Sequence, residues 1–198
     1  MILKKSFNHG WFYVYRLHKD KIDQLCLDEL NNYLVDVFCN CDDEKFCSGP
    51  RSSALRFDLG IETKEIFNHE ICSLTSKGLE ENFERFKTAH SQVQVYMLEN
   101  DDKTIGVEVP VWFEKDEMNT FKNIFGECDG VLSGHIDVLR IEDGKIWVLD
   151  YKPNAYKEKY AATQVYFYAL MLSARTGIPL DKFRCGYFDS SKCYVFKI

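Results

Sequence analysis

The stretch GHIDVLRIEDGKIWVLDYK, residues 134–152, decides how this chain folds. It holds two alternating apolar segments around Asp143-Gly144. Asp-Gly is the favoured pair for a two-residue hairpin loop, because both loop positions take positive φ. With that pair as the loop, Glu142 faces Lys145, Asp137 faces Asp150 and His135 faces Lys152. Directly opposed Cβ atoms in such a hairpin sit about 4.5–5.5 Å apart. Alternation along each strand places Asp137, Asp150 and Lys152 on one face, with Leu139, Ile141, Ile146 and Val148. The other face carries Ile136, Val138, Trp147 and Leu149. Both faces therefore read as covered, where unpaired carboxylates are costly. Two carboxylates this close repel unless a cation lies between them. Oxygen ligands with open positions suit Mg2+ or Mn2+. A lysine beside such an ion would stabilise charge developing on a phosphate or orient the attacking water. The alternative is a cross-strand salt cluster on a solvated face, and the apolar neighbours weigh against it.

Outward from this hairpin the pattern is mixed. Residues 20–39 place Ile22, Leu25, Cys26, Leu30, Tyr33, Leu34 and Val37 at helical spacing. Residues 53–90 read as mostly helical, with Leu79, Phe83 and Phe86 forming a stripe. QVQVYML (92–98) alternates as a strand, and IGVEVPVWF (105–113) reads as its hairpin partner across Asn100-Asp101-Asp102. Residues 114–128 read as helix-like or irregular. Residues 156–175 predict a helix stopped by Gly177-Ile178-Pro179, and FRCGYF and CYVFKI close the chain as short strands. Helix, antiparallel strands, helix and strand describe an α/β sandwich with a mixed central sheet flanked by helices. The expected division is an N-terminal helical segment with a Cys-bearing loop over residues 1–52, and a core over 53–198.

The chain has 198 residues, 45% of them hydrophobic, which is enough to build a core and argues against disorder. No apolar run reaches membrane-spanning length, and the start lacks the apolar segment of a secretion signal, so an intracellular protein is expected. The net charge of −6 argues against a protein that coats nucleic acid along its length, but not against a local basic groove beside a metal-binding acidic site. Among eight cysteines, Cys26, Cys72, Cys128, Cys185 and Cys193 stand singly among apolar residues and read as buried small hydrophobes. Cys39, Cys41 and Cys47 cluster in CNCDDEKFC. Their spacing allows zinc or part of an iron–sulfur cluster, but no second half of a zinc pair follows.

The ordered set of Gly134 and Asp137, then Asp150-Tyr151-Lys152, then Gln164 and Tyr168 resembles the RecB-type branch of the PD-(D/E)XK nuclease superfamily. VEVPV, with Glu108, is similar to the strand before this motif in CRISPR-associated and helicase-linked members. The resemblance covers about residues 105–172. It implies a restriction-endonuclease-like fold in which Asp137, Asp150 and the backbone carbonyl of Tyr151 bind Mg2+ or Mn2+ and Lys152 is catalytic. It also implies that Gln164 and Tyr168, one helical turn apart, line the site; as residues alone they read equally as helix-to-sheet packing. Glu108 reads as a further carboxylate or as structural. Many RecB-type members carry a metal-binding histidine on a helix after a glycine resembling Gly60. None stands there in this sequence, which leaves Glu62, His69 or His90 as substitutes, or His69 and His90 as structural. Iron–sulfur members carry one N-terminal and three C-terminal cysteines; that set is incomplete here, and no cluster is expected.

These residues point first to metal-dependent hydrolysis of phosphodiester bonds in DNA, by a metal-activated water assisted by Lys152. Lys157 and Lys159, with Arg51 and Arg56, would steer the strand, or else form a solvated helix start. The alternative is an inactive nuclease-fold module that binds nucleic acid or a partner protein. A third is a metal- or thiol-based sensor on the Cys39–Cys47 loop. Exo- or endonuclease action, strand preference and pathway (DNA repair, recombination, virus replication or immunity) are not fixed by the sequence.

Overall fold

The computed structural model of the chain describes residues 1–47, 49–125 and 130–198. In chain order its strands and α-helices are β1 (Ile2–Asn8), β2 (Phe12–His18), α1 (Lys19–Ile22), α2 (Asp28–Asn40), β3 (Lys64–Glu65), α3 (Glu70–Glu81), α4 (Ala89–Asn100), β4 (Thr104–Trp112), α5 (Lys122–Phe125), β5 (Ser133–Glu142), β6 (Lys145–Tyr151), α6 (Ala161–Thr176), β7 (Phe183–Phe188) and β8 (Cys193–Phe196). Among the described residues eight strands form one sheet, ordered β1-β2-β4-β5-β6-β7-β8-β3. Only β6 and β7 pair in parallel, and α6 supplies the crossover between them.

Apolar residues of α2 and α6 pack on one face of the sheet, where Leu139, Ile146 and Val148 meet Leu34, Val165, Phe167 and Leu172. Ile71 of α3 and Val93, Met97 and Leu98 of α4 cover the other face, over Val138, Trp147 and Leu149. The result is the expected helix-flanked mixed sheet. No helix among the described residues is long and apolar enough to cross a membrane.

The central hairpin forms as its turn dictates. Asp143 and Gly144 have φ of 49° and 68°, and the ladder runs from Glu142↔Lys145 to Val138↔Leu149. There the regular pairing ends. Tyr151 N donates to Asp137 Oδ2 at 2.9 Å, and His135 pairs instead with Pro110 of β4. Opposite Asp137, Glu108 takes a φ of 53°, a conformation costing a residue with a Cβ about 1–3 kcal/mol. The pleat slips at this point on both strands. Val107 and Val138 join the α3–α4 side, whereas Val109 and Ile136 join the α6 side. Ile136 therefore shares a face with Leu139 rather than with Val138, contrary to strict alternation.

Other elements depart from the sequence expectation for identifiable reasons. The N-terminal segment opens with the β1–β2 hairpin rather than with a helix. The helix expected over 20–39 is split into α1 and α2, because Asp28 and Glu29 begin a new helix where acids favour the positive end of its dipole. Cys26 lies in the break and is exposed, whereas Cys72, Cys185 and Cys193 are buried; Cys128 lies outside the described residues. Residues 92–98 are helical, not a strand, and β4 pairs with β2 and β5 instead. Thr88 caps that helix by accepting from Ser91 N. Every residue from Gln92 to Leu98 is buried, so no polar face exists to betray a helical period. Phe83 is exposed beyond the end of α3, so the expected Leu79–Phe83–Phe86 stripe does not form. Helix α6 starts at Ala161, leaving Lys157 and Lys159 on the segment before it.

Arg140 of β5, fully buried, ties α3 and α4 to the sheet. Its guanidinium donates to Asp101 just after α4 at 2.9 Å, to Glu142 at 3.0 Å and to Glu70 of α3 at 2.6 Å. Removing one member of such a buried network strands the others. Arg140→Ala is expected to cost about 3–5 kcal/mol, read as a lower urea midpoint with little change in slope.

Candidate active site

The end of regular pairing between β5 and β6 opens into a cavity of about 380 Å3. Asp137, Asp150, Lys152, Gln164, Tyr168 and Glu108 all line it, as does His90. Asp137 comes from β5, Asp150 from the last turn of pleat in β6, and Lys152 follows β6, its amide donating to Phe188 O. Glu108 stands at the slipped position of β4.

Two glutamine amides, one from each helical layer, organise the acids. Gln164 of α6 donates to Asp150 Oδ1 at 3.1 Å and lies 2.7 Å from the Tyr168 hydroxyl, while its Oε1 accepts from Lys152 Nζ at 2.9 Å. Gln94 of α4 donates to Glu108 Oε1 at 2.8 Å and to Asp137 Oδ1 at 3.2 Å. His90, one turn earlier on α4, places Nε2 3.6 Å from Asp137 Oδ2 and sets its ring edge-on to Tyr151. Lys152 Nζ also stands 2.6 Å from Asp150 Oδ2.

Sequence comparison bears on this arrangement. A model of the PD-(D/E)XK nuclease superfamily matches residues 63–196. The chain belongs to the PD-(D/E)XK nuclease superfamily. The matched span contains the strands and helices that carry all of these side chains. No curated protein and no solved structure gives a significant match.

In this PD-(D/E)XK chain the carboxylates are strongly coupled to their surroundings. Burial, then the charge of Asp137, pushes Glu108 up from the ordinary carboxylate range. Burial and then Asp137 also raise Asp150, against the opposing pull of Lys152. Burial alone would lower Lys152, but Asp150 and Asp137 outweigh it and hold the ammonium above its ordinary pKa. Lys152 is thus a fixed cation at neutral pH.

Members of this superfamily usually use divalent metals, and the donor set here suits one. Among the described residues no three His, Cys, Asp or Glu side chains form a ready-made cluster. A magnesium-like ion, however, is commonly held by one or two carboxylates, with water completing its shell. Asp137 and Asp150 supply such oxygens. Asp150 Oδ2 is buried and meets Lys152 Nζ at 2.6 Å, and the repulsion that remains between the two acids in a desolvated space is what a further cation relieves.

The remaining candidates sit elsewhere. Glu62 is exposed and outside the cavity, and no helix follows Gly60; Asp58 instead accepts from Gly60 N in a tight turn. His69 caps α3 by accepting from Ile71 N. Lys157 and Lys159 line an adjoining cavity of about 430 Å3 with Arg56 and Ser53, and Lys152 and Gln164 border both spaces. Cys39 and Cys47 are exposed and Cys41 is half-buried.

The sequence pattern gives no sign of Gln94 at the site, nor of the contacts that hold His135 and Arg51. Gln94 was hidden by the apparent strand, although Thr88 before Ser91 is a helix-start signal. Arg51 donates to His9 O at 3.0 Å and contacts His135 Nδ1 at 2.9 Å, while His135 Nε2 meets His9 Nδ1 at 2.8 Å. Tyr13 stacks on His135 and Phe46 on His9.

Two predictions follow from these contacts. A Cβ on Gly134 would lie 2.3 Å from Tyr168 Cε1, and Tyr168 is buried with no room to swing. Gly134→Ala should therefore lower the melting temperature, by an overpacking cost of about 1–3 kcal/mol. Burial also lowers His9 to about 4, and burial, then Arg51, holds His135 well below its ordinary value. A depressed histidine contributes stability above its unfolded pKa of about 6.5 and loses it as pH falls toward the folded value. Stability should therefore fall as pH drops from about 6.5 toward 4. Paired urea titrations should show a shallower fall in a His9→Gln protein.

Proposed function

We propose that this chain is a divalent-cation-dependent nuclease of the RecB-type branch that hydrolyses phosphodiester bonds in DNA. The observation that carries the reading is the convergence of Asp137, Asp150 and Lys152 in one cavity, with Gln164 and Tyr168 closing its α6 side. Asp137 and Asp150, with the backbone carbonyl of Tyr151, would hold the cation, and Glu108 would be a further carboxylate donor. The cation would supply Lewis-acid activation of water and phosphate.

The chain's own groups divide the remaining work. Lys152 is held protonated, so it stabilises negative charge at phosphorus rather than accepting a proton. Gln164 bonds both Lys152 and Asp150 and keeps the ammonium from drifting out of the cavity. Burial, and then the nearby acids, hold the Tyr168 phenol protonated, leaving its hydroxyl to orient Gln164. Gln94 keeps Glu108 and Asp137 apart from the Asp150 side by sharing one amide between them. Lys157, Lys159 and Arg56, in the adjoining cavity, receive the phosphates flanking the scissile bond.

Labelled linear, circular and single-stranded DNA incubated with Mg2+ or Mn2+ should be cut by the wild-type protein. Asp150→Asn and Lys152→Ala should each lose roughly a hundredfold or more in rate, the scale set by removing one preorganised charge-stabilising group. Thermal melts establish that the variants remain folded. Undiminished cutting by the folded variants removes this assignment.

A further inference from the structure

The cavity mouth carries a feature that the chemistry above does not use. Trp11 and Phe12, at the tip of the β1–β2 hairpin, are 74% and 77% exposed, yet both line the same cavity as the carboxylates. Arg16, Arg51 and Lys152 line it too. Large apolar rings left in water beside a functional cavity mark a binding surface rather than a core.

The tip is held firmly. Gly10 takes a φ of 75°, and His9 N donates to Trp11 O across the turn. His9 itself is buried between its contacts to His135 and Phe46, and Arg51 donates to its carbonyl. The backbone leading into the two rings is therefore tied down at His9. Trp11 and Phe12 precede the span matched by the superfamily model.

An aromatic rim with cations beneath it suits an unpaired strand. In a duplex the base faces are already stacked on one another, and a protein meets only edges and phosphates. A single strand offers its base faces, and base–aromatic stacking is sequence-tolerant because every base has a π-face. Resting on the nuclease reading, we propose that Trp11 and Phe12 form a stacking platform for unpaired bases, so that the site selects single-stranded DNA or frayed ends over duplex. Arg51 then meets the phosphate between the stacked bases and the scissile bond.

The test uses Trp11→Ala/Phe12→Ala with the wild-type protein in EDTA, where binding is read without turnover. Both replaced rings are exposed, so the variant should melt with the wild type. Anisotropy of a labelled single-stranded oligonucleotide should show at least about a tenfold loss of affinity in the variant, within the range expected for lost stacking. Affinity for the matching duplex should change by less than about twofold. The other two tryptophans, Trp112 and Trp147, are buried, so quenching of emission by the single strand reports Trp11. That quenching should be absent with duplex. Equal losses on both substrates, or no loss on either, overturn the proposal. Its failure is separable from that of the nuclease reading. Cutting that depends on Asp150 without selective loss here removes the platform alone. Quenching and selective loss in a protein that never cuts leave a strand-binding surface and remove the enzyme.

Discussion

The bond from the Tyr151 amide to the Asp137 carboxylate is the constraint on which the site depends. In an unbroken antiparallel ladder that amide position and its partner would be satisfied by backbone alone. Here a side chain takes over the acceptor role just where β5 and β6 part. The carboxylate is thereby fixed in direction, and the strands separate enough for a cavity to open between sheet and helices. Glu108 takes its left-handed backbone at the same level on the next strand. Pairing is also irregular nearby, at the bulge between Thr104 and Gly106 of β4, but the acids collect at the level of Glu108 and Asp137.

The helices on either face serve this level differently. Helix α6 delivers Gln164 and Tyr168 to the Asp150–Lys152 side, and α4 delivers Gln94 and His90 to the Asp137–Glu108 side. The Arg140 network holds α4 in place through Asp101, so a buried charge cluster remote from the cavity sets the height of Gln94 over the acids. The lysine balances only part of the negative charge, and desolvation magnifies the remainder. A divalent cation held there, as proposed, would relieve that excess.

Much of this centre was legible in the sequence, because it is written in local chemistry. Asp143-Gly144 fixes a turn and the turn fixes a register, which holds as far as Val138↔Leu149, one residue short of Asp137 and Asp150. Helix α6 follows from its apolar residues and its glycine stop at Gly177. What escaped was governed by tertiary burial. Gln92 to Leu98 alternate like a strand, yet they form a helix enclosed on all sides, whose period has no solvent face to display. The β1–β2 hairpin lacks a strong two-residue turn signal at His9-Gly10-Trp11, and its exposed rings blur the alternation. The slip at Glu108 could not be foreseen, since a glutamate with positive φ is dictated by its neighbours rather than by its own preference. Glu62 was placed near the site by an assumed helix after Gly60, where the chain instead turns toward β3.

The strand order has a kinetic corollary. The β5–β6 hairpin joins residues a short loop apart, so its acids can meet as soon as that segment exists. The flanking pairs are different: Arg16 of β2 waits for Val107 of β4, and Lys64 of β3 waits for Val195 of β8. Such distant pairings must absorb the entropy of closing long loops before they return any stabilisation, which slows folding and exposes unpaired edges meanwhile. The β5–β6 hairpin thus has only a short loop to close, while the β2–β4 and β3–β8 pairings must close long ones. During that interval β4 lacks its β2 neighbour, and the nascent chain is most vulnerable to pairing with another copy along that border.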